Sequence, residues 1–165
     1  MSAVISAISA AAAPAGWLQG SLNPAEVAVI GHSDGAETVA GMVLVPSEFD
    51  SRVKAAVVLA GQIPTWGEQR AVRLPTLVEQ GSADTINMPF HSRDLYRRLP
   101  RPKAYLDVLE GTHIGPVIGT SRQAQDLRAV VIAFLDRELH GDAAAQHQMD
   151  VFGNQPSLTA LDDEL

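Results

Sequence analysis

"VAVIGHSDGAETVAG", residues 27–41, passes from a short apolar run through Gly-x-Ser-x-Gly into small and apolar residues at helical spacing. Val27 to Ile30 are all apolar, which predicts a strand buried on both faces. Val39, Ala40, Val43 and Leu44 then share one face of a helix over residues 34–44. The pentapeptide therefore spans a strand-to-helix reversal. A reversal this sharp strains its central residue, and hydrogen side chains at Gly31 and Gly35 are expected to let the two segments approach. Ser33 is thereby pushed out at the carboxyl end of the strand. The following helix aims its N-terminus at the same place, which makes the backbone N–H of Asp34 a candidate oxyanion donor. A serine capping an ordinary strand–helix turn would have the same local sequence, so the rest of the chain must decide between the two.

On the C-terminal side the alternation continues. Strands are predicted over residues 55–60, 76–80 and 104–109, and a short helix from His91 to Leu99 stops at Pro100. After the fourth strand, Thr120-x-x-Gln123 reads as a capping box, and Leu127, Val131, Phe134 and Leu135 recur at helical spacing. Residues 61–75 are irregular, with Pro64, Gly67 and Pro75, and are too few for a folded cap domain. The pattern is that of parallel βαβ units, an α/β fold with a parallel sheet and flanking helices. The domain is read as residues 1–142, and residues 143–165 as a C-terminal tail whose closing Asp162-Asp163-Glu164 run is solvated. A helix is predicted from Met1 to near Pro14. Its alanine-rich end resembles a cleavage site, but the first basic residue is Arg52, so a basic n-region is lacking.

Composition limits the functions open to the chain. Its 165 residues amount to one domain, and no apolar run approaches the ~20 residues of a membrane span. Twelve basic against nineteen acidic residues, net charge −7, with no basic cluster interleaved with aromatics, argue against a nucleic-acid partner. With no cysteine, thiolate catalysis and cysteine-ligated zinc are excluded. A cytoplasmic location is the expectation, with secretion implied only if an upstream segment carries a signal.

A serine hydroxyl needs a base to take its proton and an acid to orient that base. Both candidates arrive at later strand ends. In "TLVEQGSADTIN" the third strand stops at Gly81 and Asp84 follows; in "YLDVLEGTHIGP" the fourth stops at Gly111 and His113 follows. The order Ser33, Asp84, His113, each on the carboxyl side of a parallel strand, is the order of a nucleophile-elbow hydrolase. Asp84 closing a turn and His113 as an exposed loop residue are the plain alternatives, and they would have to hold together with a capping Ser33 by coincidence. Glu79 lies within its strand and is not expected to reach a histidine beyond the strand end. His32 is expected to support the turn, and His91, His140 and His147 fall in polar segments without metal-ligand spacing, so neither metal nor cofactor is expected.

From about Asn23 to Asp142 the chain resembles the α/β-hydrolase superfamily. "NPAEVAVIGHSDGAETVAG" is similar to that family's elbow, "LPTLVEQGSADTI" to its acid loop, "EGTHIGP" to its histidine loop and "VVIAFLDRELHGD" to its last helix. The nearest resemblance is to lidless esterases grouped with dienelactone hydrolases, polyester hydrolases and platelet-activating-factor acetylhydrolases. It implies Ser33 as nucleophile, Asp84 as acid, His113 as base and a small-molecule ester as substrate. Dienelactone hydrolases proper use cysteine, which this chain lacks, so lactone opening by that route is not implied.

Only 26 residues precede the elbow strand, too few for the strands that come before it in that family. The chain therefore reads as the C-terminal half of the fold. The loop that normally carries the second oxyanion donor has no counterpart, and the apolar edge of strand 27–30 invites self-association. Weak activity is expected of these residues alone. Trp66, Met88 and Phe90 are expected to border an open cleft suited to carboxylic esters. Two other readings remain open. A dinucleotide-binding module would need a middle glycine that Gly31 and Gly35, four apart, do not frame. A non-catalytic or interaction protein derived from a hydrolase would share every motif, and only activity separates it from an enzyme.

Overall fold

The computed structural model describes residues 1–14 and 16–165. Ala15, at the end of the alanine-rich stretch considered as a cleavage site, lies outside the described residues.

The five strands are β1 (Val27–His32), β2 (Val53–Leu59), β3 (Thr76–Gly81), β4 (Lys103–Val108) and β5 (Thr159–Glu164), in the order β1-β2-β3-β4-β5. The first four are parallel and β5 runs antiparallel to β4. The helices are α1 (Ser2–Ala12), α2 (Asp34–Leu44), α3 (Pro89–Arg98), α4 (Gly115–Ile118), α5 (Arg122–His140) and α6 (Ala145–Gly153), with a 3-10 turn at Pro46–Glu48. The chain thus has the α/β architecture its sequence predicts, with element ends displaced by a residue or two.

Because β2, β3 and most of β4 are buried on both faces, their side chains feed two separate cores. On one side Val53, Ala56, Val58 and Val78 pack against Val39 and Val43 of α2, Leu95 of α3 and Ile5 of α1. On the other, Val57, Leu77, Leu106 and Val108 pack against Leu127, Val130 and Phe134 of α5 and Met149 of α6. The helices thereby sandwich the sheet, and the carboxyl ends of all four parallel strands are left to loops. The α5 N-cap is Ser121, whose hydroxyl accepts from the Ala124 N–H, one residue past the predicted Thr120; Gln123 instead donates to the Leu109 carbonyl. Helix α5 ends at Gly141, whose φ of 68° closes it in the left-handed conformation that glycine adopts without strain.

The expected solvated tail is a correction. Residues 145–153 form α6 and residues 159–164 form β5, so the acidic run ends a strand, half-buried for Asp163 and Glu164. Its acids are met from two elements: Glu164 meets Lys103 Nζ of β4 at 3.4 Å and Arg101 Nε, just ahead of that strand, at 2.5 Å, while Asp163 accepts from Gln146 of α6 at 2.7 Å. An edge strand carrying charge also resists pairing with other chains.

Candidate active site

Ser33 occupies the step from β1 into α2 with φ 57° and ψ −121°, a conformation that costs a non-glycine residue of order 1–3 kcal/mol. The surrounding sheet holds it there, its N–H donating to the Leu59 carbonyl at 3.1 Å. A Cβ on Gly31 would lie 2.1 Å from the Gly35 carbonyl oxygen, so glycine is required where strand and helix touch. The expectation for Gly35 is corrected: a Cβ there would meet nothing within 4 Å, and it is the backbone of Gly35, not its missing side chain, that crowds Gly31. Asp34 is the first residue of α2, where N–H groups have no intrahelical acceptor.

The loops after β3 and β4 are fastened to one another before they reach Ser33. Ser82 N–H donates to the Val108 carbonyl and Ala83 N–H to the Gly111 carbonyl, both at 2.9 Å, and Glu110 N–H donates to the Ser82 hydroxyl at 2.8 Å. The close passage depends on Gly81, where a Cβ would sit 2.3 Å from the Gly111 oxygen. His32 adds a further tie, from the elbow: its Nε2 lies 2.8 Å from the His113 carbonyl and its ring 4.7 Å from the His113 ring. His32 therefore ties the elbow to the histidine loop.

These ties bring the three sequence-predicted residues into one line. His113 Nε2 is 3.0 Å from Ser33 Oγ, and His113 Nδ1 is 2.8 Å from Asp84 Oδ2. His113 and Asp84 are both buried. The line lets a proton leave the hydroxyl for the imidazole while the carboxylate faces the opposite nitrogen. Burial works to raise the Asp84 carboxyl, but hydrogen bonds from His113, the Ile86 N–H, Gln80 and the Asn87 N–H together outweigh it and hold it below the ordinary range. Glu79 behaves differently. Its burial, with the charges of Asp84 and Asp107 nearby, pushes it up to about 8, so it is protonated at neutral pH. It makes no hydrogen bond to His113, in keeping with its place inside the strand.

Exposed apolar side chains flank the line in sequence: Ile86, Met88 and Phe90 beyond Asp84, and Ile114 and Ile118 beyond His113. Trp66, expected at the cleft, is partly exposed and lies over Gly41 of α2. A cavity of about 520 Å³ lies elsewhere, between α1, β1 and the end of α5, and none of Ser33, Asp84 and His113 lines it. Among the described residues no group of three or more His, Asp or Glu is placed to hold a metal ion.

Residues 1–160 match the family model for PETase, described as PET hydrolase-like. The chain belongs to this family. The PET hydrolase-like family is part of the α/β-hydrolase superfamily of polyester and dienelactone hydrolase-like esterases, and the five-stranded sheet with helices on both faces is of that fold type. Family membership makes the chain a hydrolase of the ester-cleaving kind. No curated protein matches the chain.

Proposed function

We propose that the protein hydrolyses carboxylic esters by a serine mechanism, with Ser33 as nucleophile, His113 as general base and Asp84 as the acid that orients it. The observation that carries the reading is the unbroken path Ser33 Oγ, His113 Nε2, His113 Nδ1, Asp84 Oδ2, with contacts of 3.0 and 2.8 Å, built across strand ends far apart in sequence.

On this reading Ser33 Oγ attacks the ester carbonyl carbon while its proton passes to His113 Nε2. The carbonyl oxygen becomes an oxyanion, which the Asp34 N–H and the α2 dipole stabilise. The intermediate collapses, the C–O bond to the leaving alcohol breaks, and His113 returns its proton to the alcohol oxygen. Water, giving its proton to His113, then attacks the Ser33 ester; the acyl–Oγ bond breaks, His113 returns that proton to Ser33 Oγ, and the acid is released. Asp84 stays ionised throughout, holding the imidazole in the tautomer with Nδ1–H and stabilising the imidazolium. The depressed Asp84 carboxyl supports that role.

The exposed apolar side chains Ile86, Met88 and Ile114, which follow the acid and the base in sequence, favour an ester that carries apolar groups. An aromatic polyester segment, the substrate class in the family's description, meets that requirement. The test is hydrolysis of p-nitrophenyl butyrate and of a soluble aromatic diester by the wild type, Ser33→Ala and His113→Ala. Both substitutions should lower turnover by at least about 10³-fold. Equal turnover in wild type and Ser33→Ala contradicts the reading.

A further inference from the structure

Strand β3 runs through the middle of the sheet, yet beside Thr76 at its start it carries two long polar side chains, Glu79 and Gln80, that are almost wholly removed from solvent. Gln80 uses its amide nitrogen on three acceptors: Asp84 Oδ2 at 3.0 Å, the Asn87 carbonyl at 3.0 Å and the Gly81 carbonyl at 3.2 Å. Reversing the amide would set its oxygen against those three oxygens, so the orientation is fixed by its surroundings. The amide oxygen itself is buried without a donor among the described residues. An orphaned acceptor of this kind is destabilising, and it persists because the nitrogen end is held.

The oxygen that Gln80 reaches is the same Asp84 Oδ2 that faces His113 Nδ1. The other carboxylate oxygen takes the N–H groups of Ile86 and Asn87 at 2.8 and 3.0 Å. Asn87 in turn donates to the Ala60 carbonyl at 2.7 Å, tying the acid loop to the end of β2. Only Gln80 among these donors reaches Asp84 from the central strand and not from the acid's own loop or from His113. We propose that Gln80 is a positioning residue of the active site, fixing the Asp84 carboxylate beneath His113 and moderating its basicity; this rests on the triad reading above.

The test is the rate at which a fluorophosphonate probe phosphonylates Ser33, measured against pH in folded protein. Gln80→Met keeps the length of the side chain and removes its donors. The rate at pH 7 should fall about 10- to 100-fold, the size of one hydrogen bond to a charged group. The acid limb of the profile should move to higher pH, because a carboxylate without this donor stabilises the His113 imidazolium more strongly. A purely structural role would lower stability and leave that limb in place. Gln80→Glu keeps the shape, and burial beside Asp84 keeps the introduced carboxyl protonated, so its O–H replaces the lost donor. It should recover most of the rate at pH 7 and lose it at alkaline pH, where the wild type does not. A Gln80→Met protein with wild-type rate and an unmoved acid limb overturns the proposal. If that variant fails to fold, a Gln80→Glu profile parallel to the wild type overturns it instead. Ser33→Ala, run alongside, keeps the two claims apart: labelling that persists there removes the triad reading, whereas labelling lost there but unaffected by Gln80→Met removes only the role of Gln80.

Discussion

At the scale of single residues, two buried carboxyls in the same region have opposite electrostatics. Asp84 accepts four hydrogen bonds and is held low, while Glu79 has a carboxylate oxygen without a partner and is pushed up to about 8. Their roles should separate accordingly. At pH 7 a protonated Glu79 is well imitated by an amide, so Glu79→Gln should leave ester turnover within a few-fold of wild type, whereas Asp84→Asn, which presents the wrong partner to His113, should lower it about 10⁴-fold. The reverse order would move the acid to Glu79. Stability should distinguish them too. Unfolded Glu79 titrates at the ordinary 4.5 and the folded group at about 8, so across that window the folded state keeps a proton that the unfolded state has released. Stability is therefore unaffected by Glu79 below about 4.5 and declines as pH rises toward 8, by an amount on the order of a few kcal/mol. Denaturant titrations at pH 5 and pH 9 should show this decline in the wild type and not in Glu79→Gln; parallel curves would contradict it. Ser33, Asp84 and His113 are legible in the sequence because each stands just past the end of an apolar run. Gln80 and Asn87 are not, since a polar residue in a strand only weakens the strand pattern and gives no sign of what it holds.

At the scale of elements, the elbow depends on one glycine more than on two. Gly31→Ala drives a methyl group into the Gly35 backbone, which cannot move without unseating α2 from β1, and should cost about 3 kcal/mol. Gly35→Ala finds open space on an exposed turn of helix and should be neutral or stabilise by about 0.5 kcal/mol. Thermal melts of the two variants check this, and equal losses would mean that the contact at Gly31 relaxes. The Gly-x-Ser-x-Gly pattern announces both glycines alike; only the direction each Cβ would take tells them apart. Strand β5 shows the opposite difficulty. "TALDDE" alternates poorly and carries three acids, so nothing local marks it as a strand; the cue is long-range, in Arg101 and Lys103 lying across from Glu164. Reading a pair like that requires the register of β4 in advance.

At the scale of the whole molecule, the two cores on either face of the sheet follow from the apolar strands and amphipathic helices, which is why the α/β class is legible in the hydrophobic pattern alone. The two edges of that sheet differ. Strand β5 closes one with acids, while β1, with the sequence VAVIGH and Ile30 half exposed, closes the other with no acid or permanent cation. Edges of the second kind pair with other chains. The protein is expected to self-associate at high concentration, and Ile30→Lys should shift its sedimentation toward the monomer; an unchanged distribution would place any association elsewhere.

The central claim is that three residues from distant parts of the chain act as one nucleophilic unit, and covalent capture tests it most directly. After incubation with a fluorophosphonate, peptide mass spectrometry should find one adduct, on Ser33, absent in Ser33→Ala and formed at least about 10³-fold more slowly in His113→Ala and Asp84→Asn. An adduct on another serine, or labelling of Ser33 that proceeds at the same rate without His113, would contradict the account.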